Sequence, residues 1–321
     1  MNAERIFAAA DRIRGHAVRT PLLNAPLLDA DAGRRIFVKA ECLQKTGSFK
    51  YRGARSAITA LSEADRARGV IAFSSGNHAQ GVALAAREVG TSAVIVMPSD
   101  APALKIGNTR ALGAEVILYD RATEDRDEIG ARLAKERGLS LIKPFDNPEV
   151  IAGQGTAGLE IAEQAADAGV TQADVLVCCG GGGLTSGIAL ALEARAPGLR
   201  ARPVEPQGFD DVARSLVTGS IQTNARRTGS ICDAVITPSP GQLTFPIMQA
   251  LCGPAFVASD EDALRAMAMA FTRLKIVLEP GGAIALAAAL YHVENDNDVI
   301  VVASGGNVDA TVFREALERF G

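Results

Sequence analysis

The chain has 321 residues, of which 48% are hydrophobic and 22% are charged, so it is long and apolar enough to bury a large core. Its formal net charge of −4 and its 4% aromatic residues exclude the basic, base-stacking face of a nucleic-acid-binding protein. No apolar run reaches the ~20 residues that would span a bilayer, and charges are mixed through the start of the chain, so we expect a cytoplasmic protein without membrane partners.

Short β-rich runs alternate along the chain with longer runs of helical periodicity. The predicted strands are Arg35–Lys39, Val70–Ser74, Ala93–Met97, Glu115–Tyr119, Asp174–Cys178, Arg200–Val204 and Asp298–Ala303. The predicted helices are Ala79–Val89, Arg121–Arg137, Thr156–Ala168, Leu184–Ala194, Glu261–Leu274 and Gly282–Tyr291. Strands that alternate with helices predict an α/β fold, with open, mostly parallel, twisted sheets wrapped by helices.

Glycine and serine gather where predicted strands end and helices begin. The three clusters are Ser74–Asn77, Gly180–Gly183 and Ser304–Asn307. Ligands of open α/β sheets bind at these strand ends. The clusters therefore indicate the region of a binding site.

The four-glycine run Gly180–Gly183 follows an apolar strand and opens a helix at Leu184. Its backbone N–H groups can converge on an anion with the helix dipole behind them, which is typical of a phosphate cradle. It lacks the lysine and serine of a P-loop and the spacing of a dinucleotide fingerprint. A tight turn with a structural role alone is the alternative.

Lys50 lies at the head of a predicted helix, within Lys45–Ala54, beside the aromatic residue Phe49. A helix N-terminus is an unfavourable place for an ammonium. The position therefore helps a lysine only if its amine must become neutral, as a nucleophile or an imine must. The alternative for Lys50 is an ordinary solvated surface lysine.

The five cysteines show no C-x-x-C spacing and are odd in number, which argues against a disulfide framework or a structural zinc site. They are Cys42, Cys178, Cys179, Cys232 and Cys252. We expect them to be reduced and mostly buried.

Taken together, five segments in order resemble the fold-type II enzymes that depend on pyridoxal phosphate (PLP), and most closely the threonine and serine dehydratases and the serine racemases. The segments are T-P-L at 20–22, K-T-G-S-F-K-x-R-G-A at 45–54, S-S-G-N-H-x-Q-G at 74–81, G-G-G-G-L at 180–184 and S-G-G-N at 304–307. The resemblance implies a large domain of residues 1–62 plus 148–321, a small domain of residues 69–147 and assembly as a homodimer.

The resemblance also implies roles for individual residues. Lys50 would be the Schiff-base lysine, Phe49 would pack on the pyridine ring, Asn77 would bond the ring 3-hydroxyl and Ser304 would face the ring nitrogen. The phosphate would be bound by Gly180, Gly181, Gly182, Gly183 and Leu184. The substrate carboxylate would be bound by Ser74, Ser75, Gly76, Asn77 and His78, the last as a loop residue and not as a base. For His78 the alternative is a ring that is only packed or hydrogen-bonded to the backbone. Ser75 would face the side of the substrate Cα opposite Lys50, where racemases of this family place a second base.

A further segment, residues 204–211, resembles the divalent-cation loop of serine racemases. Glu205, the Phe209 carbonyl and Asp211 fall on the ligand positions. Two carboxylates and a carbonyl, completed by waters, suit Mg²⁺ or Ca²⁺. A solvated acidic loop is the alternative.

The reaction that these features predict is the elimination of water from a β-hydroxy amino acid of the threonine or serine type, which yields a 2-oxo acid and ammonia. Four alternatives stay open. They are serine racemase-type activity, dehydration of a bulkier or acidic substrate such as 3-phenylserine or 3-hydroxyaspartate, β-replacement as in cysteine synthase, and PLP binding without turnover. The short stretch after residue 307 leads us to expect no C-terminal effector domain.

Overall fold

The computed structural model describes residues 1–101, 103–120 and 122–321, which form ten strands and fourteen α-helices. The strands are β1 Leu22–Leu23, β2 Ile36–Lys39, β3 Val70–Phe73, β4 Ala93–Pro98, β5 Glu115–Tyr119, β6 Ser140–Leu141, β7 Ala173–Cys178, β8 Leu199–Pro206, β9 Phe256–Ala258 and β10 Val299–Val302. The helices are α1 Ala3–Ile13, α2 Pro26–Ala32, α3 Lys50–Thr59, α4 Glu63–Arg68, α5 Asn77–Glu88, α6 Ala103–Ala111, α7 Arg126–Arg137, α8 Pro148–Asp167, α9 Gly183–Arg195, α10 Asp211–Thr218, α11 Thr244–Leu251, α12 Asp260–Met269, α13 Pro280–Tyr291 and α14 Ala310–Phe320.

The larger sheet has six strands in the order β1-β2-β10-β7-β8-β9. All neighbouring strands are parallel except β1, which pairs antiparallel with β2. Strand β10 is apolar, and both β10 and its neighbour β2 are buried at every position, as is typical of parallel sheets that are covered on both faces. Since β7 and β10 are parallel neighbours, the turns that follow them lie at the same edge of the sheet.

The smaller sheet has four parallel strands in the order β5-β4-β3-β6. Its buried core is a cluster of its own, built from β3, β4, α3 and α5. The chain enters this sheet after α4 and leaves it after β6. The division of the chain into the two domains predicted above agrees with this path but stays a prediction.

Helix α8 is the longest, and its start illustrates local control by the sequence. The Asn147 side chain accepts hydrogen bonds from the backbone N–H groups of Glu149 and Val150 at 2.9 and 3.1 Å, and Pro148 occupies the first turn. Both features are typical helix-start signals. Close packing of α8 on α9 requires glycine, because a Cβ at Gly187 would lie 2.4 Å from the Ile151 carbonyl.

The predicted α/β class and parallel sheets are confirmed, and each of the seven predicted strands is present within two residues of its expected bounds. Three short strands were not predicted: β1, β6 and β9. Strands this short carry too few residues to show a periodicity.

The predicted helices are also present, with corrected ends. Helix α8 begins eight residues earlier than predicted, and the predicted helix Glu261–Leu274 is regular only to Met269, followed by a wide π-type turn. Helix α7 begins at Arg126, where Asp125 caps it; the predicted start at Arg121 lies outside the described residues.

Two expectations about the whole chain can be compared with the described residues. All five cysteines lie among them, and all are buried and free of disulfide bonds, as predicted. Among the same residues, no helix has both the length and the apolar character needed to cross a membrane.

Candidate active site

A cavity of about 320 Å³ lies between the two sheets, at the carboxyl ends of β3, β7 and β10. It brings together segments that are far apart in the sequence. The predicted site residues that line it are Phe49, Lys50, Ser74, Ser75, Gly76, Asn77, His78, Gly180, Gly181, Gly182, Gly183, Leu184 and Ser304. The roles given to these residues stay predictions, but their common location supports them.

The glycine run forms the floor of the cavity and is tightly packed from behind. A Cβ at Gly181 would lie 2.4 Å from the Phe145 ring, and one at Gly182 would lie 2.6 Å from the Met248 methyl group. Gly182 has a φ of +87°, which glycine adopts without strain. The run must therefore be glycine, and it leads directly into α9, whose first N–H groups are free for an anion.

Lys50 is the first residue of α3, and its Nζ donates to the Pro144 carbonyl oxygen at 3.1 Å. The amine lies 5.0 Å from the centroid of the Phe49 ring. Burial lowers the pKa of the Lys50 amine to about 8. Lys50 is thus not a solvated surface lysine, and a larger fraction of its amine is neutral near pH 7 than in an ordinary lysine.

The serine loop, residues 74–78, runs from β3 into the first two residues of α5. His78 was predicted as a loop residue, but it is the second residue of this helix, because the helix begins at Asn77. The Ser74 hydroxyl accepts from the Gly76 N–H at 3.2 Å, whereas nothing lies within 4 Å of the position of a Cβ on Gly76. His78 is 3% exposed, and its Nε2 contacts the Ile142 carbonyl oxygen at 2.8 Å. Burial lowers the pKa of His78 to about 3, so the ring is neutral at physiological pH.

Asn77 is held from both sides by hydrogen bonds. Its Nδ2 donates to Glu279 Oε1 at 2.6 Å, and its Oδ1 accepts from Asn307 Nδ2 at 2.7 Å. Since the oxygen is engaged and the amide has a second N–H, Asn77 offers the cavity a donor. Burial raises the pKa of the Glu279 carboxyl to about 7.

Ser304 follows β10 and is 4% exposed. Its carbonyl accepts from the Phe49 N–H at 3.1 Å, which ties the turn after β10 to the segment before Lys50. Cys178, at the end of the neighbouring strand β7, also lines the cavity. Burial raises the pKa of the Cys178 thiol to about 11, and the Ser304 hydroxyl beside it opposes this rise.

Several cavity residues were missed by the sequence analysis, among them Cys178, Glu279, Phe145 and two cations, Lys105 and Arg126. The cations come from the starts of α6 and α7 in the smaller-sheet region. A Cβ on Gly130 of α7 would lie 2.0 Å from the Phe73 ring, so this glycine lets α7 approach the end of β3. Only Asp125, which caps α7, could have indicated where Arg126 starts a helix.

The residues predicted to bind a divalent cation do not line the cavity, but two of them, Glu205 and Asp211, lie close together. Glu205 and Asp211 are both fully buried, and Glu205 accepts from the N–H groups of Val212 and Ala213 at 2.9 and 2.7 Å. Asp211 Oδ1 accepts from Asn224 at 2.5 Å, whereas its Oδ2 is buried without a partner. Burial raises the pKa of both carboxyls, that of Asp211 to about 6, and the Asp211 charge adds to the rise at Glu205.

This pair is therefore not a solvated acidic loop, because both side chains are buried. No group of three acidic, histidine or cysteine ligands occurs anywhere in the described part of the chain. The unpaired Asp211 oxygen and the two buried carboxylates fit a hard cation that takes its remaining ligands from carbonyls and waters. Phe209, whose carbonyl was the third expected ligand, is 2% exposed.

The cavity also fits PLP. Its lining includes an amine of lowered pKa and a backbone cradle at the start of a helix. Every Cβ position of the cradle would lie within 3.3 Å of a neighbouring group, so the cradle presents main chain to a ligand. The same lining includes an aromatic ring, a hydroxyl and an amide donor, in Phe49, Ser304 and Asn77.

Comparisons with known proteins give the same picture. A sequence profile described as "Pyridoxal-phosphate dependent enzyme" matches residues 13–305. The chain is 44% identical over 315 residues to L-threo-3-hydroxyaspartate ammonia-lyase of a Pseudomonas species, covering 98% of this chain and 97% of the relative. It is 40% identical over 322 residues to serine racemase of Oryza sativa subsp. indica, covering 97% and 92%.

Among solved structures, a T.th. threonine deaminase superposes with a TM-score of 0.90 at 45% sequence identity, covering 96% of this chain and 99% of the other. The similarity thus extends over nearly the whole chain and includes both sheets. It confirms the resemblance drawn from the five sequence segments. The chain belongs to the family of pyridoxal-phosphate-dependent enzymes, in its fold-type II group with the threonine deaminases and serine racemases.

Proposed function

We propose that this protein is an ammonia-lyase that eliminates water from a β-hydroxy amino acid and releases a 2-oxo acid and ammonia. The observation that carries the proposal is that the half-buried Lys50, whose amine has a lowered pKa, lines the same cavity as the glycine cradle. Relatives whose names record this reaction class support it. Threonine deaminase supports it as well, since it shares the whole fold.

We propose further that the preferred substrate carries an acidic side chain, as 3-hydroxyaspartate does. Two cations, Lys105 and Arg126, line the same cavity as the serine loop. Each cation has one acidic neighbour, since Lys105 Nζ lies 3.6 Å from Asp233 Oδ2 and Arg126 Nε lies 3.5 Å from Asp127 Oδ1. We assign the distal carboxylate to Arg126, because its planar guanidinium has further N–H groups that can bind a carboxylate with two parallel hydrogen bonds. Two relatives, at 44% and 42% identity, bear the name L-threo-3-hydroxyaspartate ammonia-lyase.

The residues that would hold PLP are those that line the cavity. Lys50 would bind its aldehyde carbon, Phe49 would pack on the ring, Gly180, Gly181, Gly182, Gly183 and Leu184 would bind the phosphate, Asn77 would donate to the 3-oxygen, and Ser304 would face the ring nitrogen. When bound, the cofactor supplies an electron sink that stabilises negative charge at Cα.

The chain's own groups carry out the remaining steps. The N–H groups of the serine loop, at the start of α5, bind the substrate carboxylate and fix the direction of the Cα–H bond. The neutral Lys50 amine takes the Cα proton. The C–H electron pair becomes the second bond between Cα and Cβ as the Cβ–O bond breaks, and the departing hydroxyl takes up a proton and leaves as water. The enamine that is released takes a proton at Cβ to become an imine, and one water hydrolyses the imine to the 2-oxo acid and ammonia.

Racemisation is the second candidate activity, because Ser75 lines the cavity beside Lys50. We propose that Ser75 lies on the face of Cα opposite Lys50 and exchanges the proton there. A serine racemase among the relatives, at 40% identity, supports this side activity.

Two further parts of the proposal concern a bound divalent cation and the oligomeric state. Glu205, the Phe209 carbonyl and Asp211 would hold Mg²⁺ or Ca²⁺, supported by the unpaired buried oxygen of Asp211. The protein would act as a cytoplasmic homodimer. Exposed apolar side chains on α2 and on the segment packed against it, Leu27 at 64%, Phe271 at 40% and Val277 at 40%, support a partner surface.

The substrate proposal is tested by ammonia release from L-threo-3-hydroxyaspartate, L-threonine and L-serine. Loss of Arg126 removes a charge-assisted bond of about 1.5–3 kcal/mol, so Arg126→Gln should lower kcat/KM for hydroxyaspartate about 10- to 100-fold and leave L-serine little changed. Arg132→Gln, on the exposed side of the same helix, is the matched control. Wild-type protein that preferred threonine, or a variant that lost all substrates equally, would contradict the proposal.

A further inference from the structure

The hydrogen bond of His78 fixes which of its ring nitrogens carries the proton. A carbonyl oxygen only accepts, so the Nε2 atom 2.8 Å from the Ile142 oxygen must be protonated. The ring is neutral, because burial holds its pKa far below the usual range. Its Nδ1 atom therefore carries a bare lone pair and acts as a hydrogen-bond acceptor.

This acceptor has no partner. His78 is 3% exposed and lines the cavity, yet Nδ1 is buried and makes no hydrogen bond with any described residue. Leaving a buried acceptor unpaired destabilises the folded protein, so such an atom points to a donor that reaches it when a neighbouring group gains a proton. The substrate carboxylate is not that donor, because its oxygens would repel the lone pair.

Among the groups around His78, we assign the Lys50 amine as the donor to Nδ1. A Cβ on Gly81, three residues after His78 in α5, would lie 3.1 Å from the Lys50 carbonyl carbon, so the start of α3 packs closely against the first turns of α5. Lys50 and His78 are also both held by one segment, through the Pro144 and Ile142 carbonyls. An ammonium has three N–H bonds, and Pro144 takes one of them.

Other charged or titratable groups line the cavity from the elements around His78. They are Lys105 on α6, Arg126 on α7, Cys178 at the end of β7, Asp233 in the loop before α11 and Glu279 before α13. Lys105 is paired with Asp233, Arg126 lies near its neighbour Asp127, and Glu279 accepts from Asn77. Buried with a raised pKa, the Cys178 thiol is a weak donor.

We propose that His78 Nδ1 accepts a hydrogen bond from the Lys50 ammonium after that amine has taken the Cα proton. The inference rests on the proposed role of Lys50 as the base. In this step the Cα–H bond breaks and an N–H bond forms on Lys50. The ammonium then donates one N–H to Pro144 and one to His78, which stabilises the charged product of proton transfer. His78 is thereby a positioning residue that raises the basicity of Lys50.

Two substitutions distinguish an acceptor role of Nδ1 from a purely structural role of the hydrogen bond between Nε2 and Ile142. His78→Asn places an amide oxygen near the position of Nδ1 but no longer reaches Ile142. His78→Gln reaches Ile142 with an amide N–H but has no acceptor at Nδ1. His16→Gln, at an exposed histidine before β1, is the control.

The first measurement uses cofactor-free protein. The pH dependence of Lys50 acetylation by trace anhydride, followed by peptide mass spectrometry, gives the Lys50 pKa without substrate or turnover. His78→Gln should lower that pKa by about one unit, since a hydrogen bond to a charged group contributes about that much. His78→Asn should stay within a few tenths of a unit of wild type. The second measurement is the α-deuterium isotope effect of the loaded enzyme, which should rise in His78→Gln as kcat falls about tenfold.

An unchanged Lys50 pKa and isotope effect in His78→Gln would overturn the proposal and leave His78 as an anchor for Ile142. So would a pKa that falls equally in both variants, because the Nδ1 acceptor would then be irrelevant. Failure of the proposed function is distinguishable: wild-type protein would release no ammonia from any hydroxy amino acid, whereas the labelling result in cofactor-free protein would stand.

Discussion

The two glycine- and serine-rich turns that line the cavity differ in how they are built. In the glycine run, Gly180–Gly183, every Cβ position is filled by a neighbouring group, including the Phe145 ring and the Met248 methyl. In the serine loop, residues 74–78, the space at Gly76 is open and the side chains face the cavity. Tight packing restricts the glycine run to one conformation. In the serine loop hydrogen bonds hold Asn77 and His78, but the space beside Gly76 stays open.

This difference matches what each turn is proposed to bind. A cofactor that stays bound favours a rigid backbone cradle, because no free energy is lost in ordering it. A substrate that enters and leaves favours a loop that can adjust. Lys50 lines the same cavity as both turns and is proposed to act on both cofactor and substrate.

The largest expected effect comes from removing the group that connects the two turns. Lys50→Ala should abolish covalent cofactor attachment and lower ammonia release by at least ~10³-fold, because a positioned base is lost. Lys143→Ala, at an exposed lysine next to Pro144, should behave like wild type in both assays. Absorbance of the purified protein and an ammonia assay measure the two effects. A Lys50→Ala protein with normal ammonia release would rule out the assigned role.

The packed turn and the open turn can be compared by one substitution in each. Gly181→Ala places a methyl against the Phe145 ring, which costs about 1–3 kcal/mol, so PLP should bind about 5- to 150-fold more weakly. Gly76→Ala meets no atom and should keep the PLP affinity, with its effect confined to KM. Absorbance titration of cofactor-free protein gives both affinities. Equal loss in the two variants would contradict the contrast between the turns.

A substitution of Ser75 tests whether the serine loop exchanges a proton on the face of Cα opposite Lys50. Ser75→Ala should abolish L-to-D conversion and turnover of D substrates, while dehydration of the L substrate continues at a rate lowered about tenfold or less. Inversion needs a proton delivered opposite Lys50, whereas elimination needs only the lysine face. Chiral chromatography and 2-oxo acid release, for both enantiomers, are the measurements. Lost L-dehydration with D turnover intact would reverse the facial assignment of the two residues.

The smallest expected effect lies away from both turns, at Glu205 and Asp211. A cation at a hundredfold excess over its Kd stabilises the fold by about 2.7 kcal/mol, so chelation should lower the melting temperature by about 5 °C. Added Mg²⁺ or Ca²⁺ should restore it. The Asp211→Asn protein should not respond to chelator. A wild-type melting curve and activity that are both unchanged by chelator would exclude the cation.

The sequence was most informative where one residue type must occupy one backbone position. The glycine run could be predicted as a cradle because only glycine allows the close approach of Phe145 and the positive φ of Gly182. Lys50 could be predicted because an ammonium at a helix start is otherwise unfavourable. The cysteines could be predicted as buried and reduced from their spacing and composition, and they are.

Sequence reasoning was least informative for side chains whose role depends on residues from distant segments that meet at the cavity. Arg126 and Lys105 looked like ordinary charged residues of two helices, and Glu279 looked like part of a helix start. His78 was predicted as a loop residue, but no pattern along the chain could show that Ile142 would fix its tautomer. Each of these properties comes from residues that are far apart in the sequence and meet only around the cavity.

By itself, the sequence determined the α/β class, the strand-to-helix turns and the position of Lys50 at a helix start, because these depend on local periodicity and on the conformational range of single residues. Only the tertiary structure decided the charge and proton state of the cavity. The pKa of Lys50, the orphaned Nδ1 of His78 and the raised pKa of Glu279 follow from burial between two sheets. Burial is a property of the assembled fold, since desolvation depends on which segments close around a group and not on its neighbours along the chain.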